Sequence, residues 1–402
     1  MDVQKLREDF PALSVNRGGG PPIYFDSACV TLRPRQVIDK VIEYYEQYPG
    51  CHGRTTHYFG RRTTEEYVTA RKKVQRYIGA RKPEEVVFTK NTTEGINIVA
   101  RGVSFRPGEE ILSSEMEHTS NLTPWQIVSA EKGVKRRFFP YRKDLTFDIQ
   151  ACEDALNEKV RVVNVHHVSN VTGVEHPIRE ICKMAHDYGA LVVVDGAQAT
   201  GHKKVNVRRL GADFYSFSGH KMLGPSGTGV LYGRKELLDE LPQLISGGET
   251  VRDTTLTTHN LAPVPDKFEA GLQDYAGIIG LGAAVDYMRG LDLDALERHE
   301  RQINGNITEW LLAHRVARII GPQEARRRPA ILNMILDGHD PFDIAKVLDE
   351  ASGIMLRAGK HCLHSWYNKT GTSDSMRASF HCYNTLHEAD VFIDALGKFI
   401  GA

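Results

Sequence analysis

The 402-residue sequence lacks any surplus of charge, with 51 Lys plus Arg against 51 Asp plus Glu. That balance argues against nucleic acid or an anionic membrane surface as the main partner. The short basic runs Lys135-Arg136-Arg137 and Arg326-Arg327-Arg328 are accordingly expected to be solvated surface. No apolar run is long enough to span a bilayer. The first ten residues are charged throughout and lack the apolar core of a secretory signal, so the expected location is cytoplasmic. The six cysteines, Cys29, Cys51, Cys152, Cys182, Cys362 and Cys382, include no Cys-x-x-Cys pair, and in a large cytoplasmic chain they are expected as reduced thiols. His361-Cys362-Leu363-His364 has no second cluster to complete a four-ligand site, so no metal is expected. Internal repeats and low-complexity tracts are absent as well. A hydrophobic fraction of 41% and a charged fraction of 25% leave a soluble globular chain.

What is present is alternation. The length suggests two domains. Strand patterns at 23–26, 85–89, 110–114, 160–168, 190–195, 214–217 and 230–232 are interleaved with helical spacing at 36–48, 65–78, from 91 onward and at 178–188. Residues 17–20 read as a flexible glycine segment, 49–61 as a loop and 117–121 as a polar turn. The run Ala190-Leu-Val-Val-Val-Asp195 has the continuous apolar character of a central parallel strand. Beyond about 285 the texture changes: helices at 293–314, 341–351 and 387–399, with strands at 331–336, 354–357 and 376–380. The expectation is an α/β fold with a mostly parallel sheet in a large domain, residues 15–285, and a smaller α+β domain, 286–402, on which residues 1–14 pack.

Polar residues fall where these strands end: Thr92 and Thr93, His118, Asn170, Asp195 and Gln198, then Ser218, His220 and Lys221. Parallel sheets bind ligands at the carboxyl ends of their strands, so the convergence matters more than any one motif. Ser218-Gly219-His220-Lys221 alone could be a solvated turn. It is no P-loop, because Lys221 precedes its glycines and Met222 follows it. A desolvated lysine has a lowered pKa and serves as an amine nucleophile toward a carbonyl, most usefully that of pyridoxal 5'-phosphate. Asp195 suits the ring nitrogen, with a turn cap as its alternative. Thr92, Thr93, Ser218 and His220 suit the phosphate, although Thr92 could simply cap a helix. His118 could stack on the ring or sit in a surface turn.

These stretches, with Tyr24-Phe-Asp-Ser-Ala28, Thr92-Thr-Glu-Gly-Ile-Asn97, His167-Val-Ser-Asn-Val171, Asp195-Gly-Ala-Gln198 and Arg357-Ala-Gly-Lys-His-Cys362, resemble the fold-type I, class V aminotransferases. Within them the chain is similar to the cysteine desulfurases of the SufS-like subgroup, down to the short spacing between Cys362 and Arg377. The resemblance implies that Lys221 carries pyridoxal 5'-phosphate, that Asp195 and Gln198 meet the ring nitrogen and hydroxyl, and that His118 stacks on the ring. Thr92, Thr93, Ser218 and His220 would hold the phosphate. Asn170 and Arg357 would grip the substrate carboxylate, with Arg377 nearby. Cys362 would take sulfur from L-cysteine as a persulfide and release L-alanine, with Lys221, Cys362 and His118 as the catalytic set. A homodimer and a sulfur acceptor, such as an iron–sulfur scaffold protein, are implied too. Two departures stand out. Leu272 replaces the hydroxyl of a Gly-Thr-x-Asn segment that contacts the neighbouring subunit's cofactor phosphate, and Cys51-His-Gly-Arg-Thr-Thr-His57 replaces a His-Arg-Gly segment. Selenocysteine lyase, or a class V enzyme for another amino acid, is the alternative within the same chemistry; a catalytically idle sulfur-transfer scaffold is the alternative outside it.

Overall fold

The structure is a computed structural model describing residues 1–16 and 21–401, so the glycine segment expected at 17–20 lies outside the described residues. Its centre is set by the valine-rich strands. Val162, Val163, Val192, Val193 and Val194 are all buried, as strands covered on both faces require. They belong to a seven-stranded sheet in the order Val86–Thr89, Gly229–Gly233, Phe214–Ser218, Leu191–Asp195, Val160–His166, Glu110–Ser114 and Lys135–Phe139. Six strands run the same way, and Gly229–Gly233 is antiparallel to both its neighbours. Asp195 pairs in register with His166 and Ser216, which aligns the carboxyl ends of three adjacent strands.

A second sheet of four antiparallel strands follows the order Ala317–Ile319, Ile331–Leu336, Ser375–Ser379 and Arg357–Gly359. Helices Leu293–His314, Pro341–Ser352 and Leu386–Ile400 bury Ile303, Ile307, Ile344, Leu348 and Phe392 in its core. Ile23 and Phe25 join that core, because Ile23–Tyr24 pairs with Ile354–Met355. The chain therefore passes the second sheet before building the first. The N-terminal arm touches both: Arg7 pairs with Glu388 at 2.6 Å, while Phe10 packs among residues of the first core. Among the described residues no helix is long and apolar enough to cross a membrane.

Three local expectations are corrected. Lys135-Arg136-Arg137, expected as solvated surface, begins Lys135–Phe139, the edge strand of the large sheet, where charged side chains are tolerated. Lys135 is exposed there, but Arg137 is half-buried and donates to the Ala155 carbonyl at 2.9 Å. In the other basic run Arg328 is completely buried, donating to Pro322 O, Asn304 Oδ1 and Thr308 Oγ1. Helix Tyr58–Tyr77 begins well inside the loop expected at 49–61. His57 caps it, its Nδ1 accepting the Gly60 N–H at 3.3 Å. Gly60 reads as a loop residue but is needed in the helix, because a Cβ there would lie 1.5 Å from Thr55 Oγ1.

One buried ion pair fastens this helix to the sheet. Arg71 donates to both oxygens of Glu269, at 2.7 and 2.8 Å, and Tyr67 Oη and the Phe88 N–H donate to the same carboxylate. Burial pushes the Glu269 pKa up, but the Arg71 charge and the hydrogen bonds from Arg71, Tyr67 and the Phe88 N–H overcome it and hold the group below the usual value. Glu269→Ala leaves a buried guanidinium unpaired and is expected to cost about 3–5 kcal/mol in urea unfolding. The sign of the pH dependence follows from the depressed folded pKa. The Glu269 contribution is present above the ordinary carboxylate pKa and is lost as pH falls toward the folded value, so the variant's stability should depend less on pH in that window.

Candidate active site

The carboxyl ends of the parallel strands face the edge of the small sheet across a cavity of about 210 Å³. Every site residue singled out from the sequence lines it, from Thr92 to Arg377. A larger cavity of about 320 Å³ shares the wall formed by Ala28, Val168 and Gln198, but holds none of Lys221, Asp195 or Cys362.

Strand Leu191–Asp195 delivers Asp195 to the floor, where Oδ1 accepts the Ala197 N–H at 2.9 Å. Burial raises the Asp195 pKa, against the Ala197 hydrogen bond and the Lys221 charge. Strand Phe214–Ser218 ends in a single 3₁₀ turn, Gly219–Lys221, that swings Lys221 beneath the cavity. The turn is held from outside by Thr31, whose N–H and Oγ1 both donate to the His220 carbonyl. It also depends on Gly201, where a Cβ would come within 2.3 Å of the Lys221 carbonyl. What exposure Lys221 keeps is to the cavity; the surrounding protein lowers its amine pKa by burial, opposed chiefly by Asp195.

Beside this pair lies the N-terminus of helix Thr92–Gly102. Asn91 is its cap, accepting the Glu94 N–H at 3.0 Å, so Thr92 is not the cap. Thr92 instead meets Ser218, whose Oγ accepts the Thr92 N–H at 2.9 Å and lies 2.7 Å from Thr92 Oγ1. Thr93 donates to Ser120. His220, its pKa lowered to about 4 by burial and by Lys221, is a neutral donor or acceptor at neutral pH. His118 is lowered to about 3 by burial first and then by Lys221 and Arg377. The polar turn expected at 117–121 is the start of helix Thr119–Lys132, and the His118 Nδ1 caps it by accepting the Ser120 N–H.

The small sheet supplies the opposite wall. After strand Arg357–Gly359 both His361 and Cys362 adopt left-handed backbone, with φ of 49° and 60°. Two consecutive non-glycine residues there are strained and need fixing by their surroundings. Asn170 Nδ2 donates to the His361 carbonyl at 2.6 Å, and Thr119 donates to the Cys362 carbonyl from both N–H and Oγ1, at 2.8 and 2.7 Å. Arg357 lies beside the thiols, with Cys29 Sγ 3.0 Å and Cys362 Sγ 3.8 Å from its terminal nitrogens. Burial works against the Arg357 charge, but the two thiols and Asp26 outweigh it and raise the pKa. Buried Arg377 donates to the Asn170 carbonyl and to Asp26, while its Nε has no hydrogen-bond partner. Neither Leu272, which is 75% exposed, nor any residue of 51–57 lines this chain's cavity.

Cys29, Thr119, Asp26 and His166 are not among the site residues expected from the sequence. Cys29 directly follows the quoted Tyr24–Ala28 stretch, so position could have flagged it. Nothing local marks Thr119, or His166, which lines the cavity with its Nδ1 3.1 Å from Glu117 Oε2; both gain their partners only through the fold. Pyridoxal 5'-phosphate fits the residues present. A lone lysine amine with lowered pKa stands beside a buried carboxylate, and hydroxyls and a neutral imidazole gather at a helix N-terminus.

Residues 23–392 match the Aminotransferase class-V family model. A probable cysteine desulfurase of Halalkalibacterium halodurans is 39% identical over 404 aligned residues, covering 99% of this chain and 98% of the relative. The apo structure of a cysteine desulfurase from Thermococcus onnurineus is 37% identical and superposes with a TM-score of 0.94, covering 99% of this chain and 98% of its own. A cysteine desulfurase from Escherichia coli, solved in an S-sulfonic acid form, is 31% identical with a TM-score of 0.91, covering 100% of this chain and 99% of its own.

Proposed function

The chain belongs to the aminotransferase class-V family, among its cysteine desulfurases, and we propose that it takes sulfur from L-cysteine with pyridoxal 5'-phosphate carried on Lys221, leaving L-alanine and a persulfide on Cys362. The observation that carries this reading is the placement of Lys221, Asp195 and Cys362 on one cavity of about 210 Å³. When bound, the cofactor supplies a carbonyl for the substrate amine and a sink for the electrons released at the α-carbon. The chain does the rest. Asp195, whose pKa burial raises against the Lys221 charge, would hold the ring nitrogen, with Gln198 at the ring hydroxyl and His118 against its face. Thr92, Thr93, Ser218 and His220, with the helix N-terminus, would hold the phosphate. The Lys221 amine, its pKa lowered, takes the α-proton at Nζ and returns protons to the three-carbon product.

Arg357, Arg377 and Asn170 form the wall for the substrate carboxylate, and Asn170 also steadies the cysteine loop through His361. Arg357, 3.8 Å from Cys362 Sγ, is placed to pair with the thiolate that the reaction uses. Cys362 Sγ bonds to the substrate sulfur as the substrate Cβ–S bond breaks, and the electron pair returns to carbon. The short loop carrying Cys362 favours the SufS-like subgroup. The reading includes a cofactor-holding domain of residues 15–285 and a smaller one of 286–402, with 1–14, that carries the thiol. It also includes a homodimer, favoured by exposed Leu244, Ile245, Leu256, Leu261 and Leu272 along one segment. The persulfide would pass to an acceptor protein in the cytoplasm, such as an iron–sulfur scaffold.

Purified holoenzyme given L-cysteine and a thiol reductant is expected to form alanine and sulfide in equal amounts. A yellow holoprotein that forms no alanine from L-cysteine would remove the substrate from this reading while leaving the family.

A further inference from the structure

Cys29 has no part in that reaction, yet it lines the same cavity as Lys221 and Cys362. It ends the turn after Phe25, its N–H donating to the Asp26 carbonyl at 3.0 Å. The two terminal nitrogens of Arg357 face the two sulfurs separately, Nη1 toward Cys29 and Nη2 toward Cys362. Both nitrogens sit on one carbon, so a single planar cation spans the gap between the thiols. The other cysteines differ. Cys152, Cys182 and Cys382 are buried, and burial pushes their thiols up, Cys152 to about 12. Cys51 lies outside the cavity, near Tyr275.

We propose that Cys29 is a second sulfur carrier, taking the outer sulfur of the Cys362 persulfide. The inference rests on the desulfurase reading above. The Cys29 thiolate attacks the terminal sulfur of Cys362–S–SH. A new S–S bond forms at Cys29 as the old one breaks, and the electron pair leaves on Cys362 Sγ as a thiolate. One thiolate and one persulfide enter and one of each leaves, so no oxidant, reductant or proton is consumed. Arg357 faces the anionic sulfur before and after the step, which keeps the charge paired throughout. The consequence is storage: Cys362 is free for a second turnover before any acceptor arrives.

The test uses holoenzyme, L-cysteine and no reductant, stopped by rapid quench into an alkylating agent. The parent is expected to release alanine in a burst of about two equivalents per chain, against about one for Cys29→Ser, because each thiol stores one sulfur. Mass spectrometry of the parent's own peptides, which needs no variant to fold, should find an added sulfur atom on the Cys29 peptide as well as on the Cys362 peptide. Added sulfur confined to Cys362, with a one-equivalent burst in both proteins, overturns the proposal. A Cys29–Cys362 disulfide with free sulfide overturns it too, since the attack would then have fallen on the inner sulfur. A parent with no added sulfur on Cys362 overturns the persulfide reading and this step together, an outcome distinct from the other two.

Discussion

Lys221→Ala should lower alanine formation from L-cysteine by at least about a thousandfold, the sum of losing a positioned base and a covalent anchor. Two buried groups, Lys221 and Asp195, set this effect. Burial lowers the Lys221 pKa, so its amine is neutral further down the pH scale than an ordinary lysine and can accept a proton there. The acid limb of the rate profile of the parent should therefore lie below the ordinary lysine pKa. Removing the amine also removes a charge that lowers the Asp195 pKa, which burial already raises. The carboxyl then becomes a poorer partner for a positive ring nitrogen. Two readouts separate this role from a structural one. Cofactor colour should be lost on dialysis from the variant and kept by the parent. Lys221→Arg, which restores charge but not a nucleophilic amine, should be as inactive as Lys221→Ala. A Lys221→Ala protein that keeps a tenth of the parent rate would remove Lys221 from the reaction.

The large sheet was legible because its chemistry is repetitive. Valine runs covered on both faces have few other places to go, and the strands expected to end at Ser114 and Asp195 do end there. The edge strand Lys135–Phe139 was not legible, since an edge position removes the apolar pattern by which strands are recognised. Arg328 misled for the opposite reason. Its burial is bought by carbonyls and side chains from 304 to 323, partners invisible along the sequence. The cavity residues were legible because strand ends in a parallel sheet converge by topology. Asn170 shows the limit. Its place on the cavity was readable from the sequence, whereas its bond to the His361 carbonyl depends on how the two sheets face each other.

Cys362→Ser should leave the fold and cofactor colour intact while desulfuration falls by about a hundredfold or more, with kcat and kcat/KM falling together. Intact folding follows from how the loop is held. The strained backbone at His361 and Cys362 is tied by Asn170 and Thr119 to carbonyl oxygens, which serine supplies as well as cysteine. What serine lacks is a sulfur that can be a thiolate beside Arg357 and form a bond to the substrate sulfur. The loss therefore belongs to the transition state alone, which is why both kinetic constants should move equally and KM little. Thr119→Val separates geometry from chemistry. It keeps the backbone N–H bond to Cys362 but loses the one from Oγ1, so it should reduce the rate by a smaller factor without changing which thiol carries sulfur. If Cys362→Ser kept half the parent rate, sulfur would be leaving the substrate without an enzyme thiol at 362, and this loop would be a wall of the cavity and nothing more.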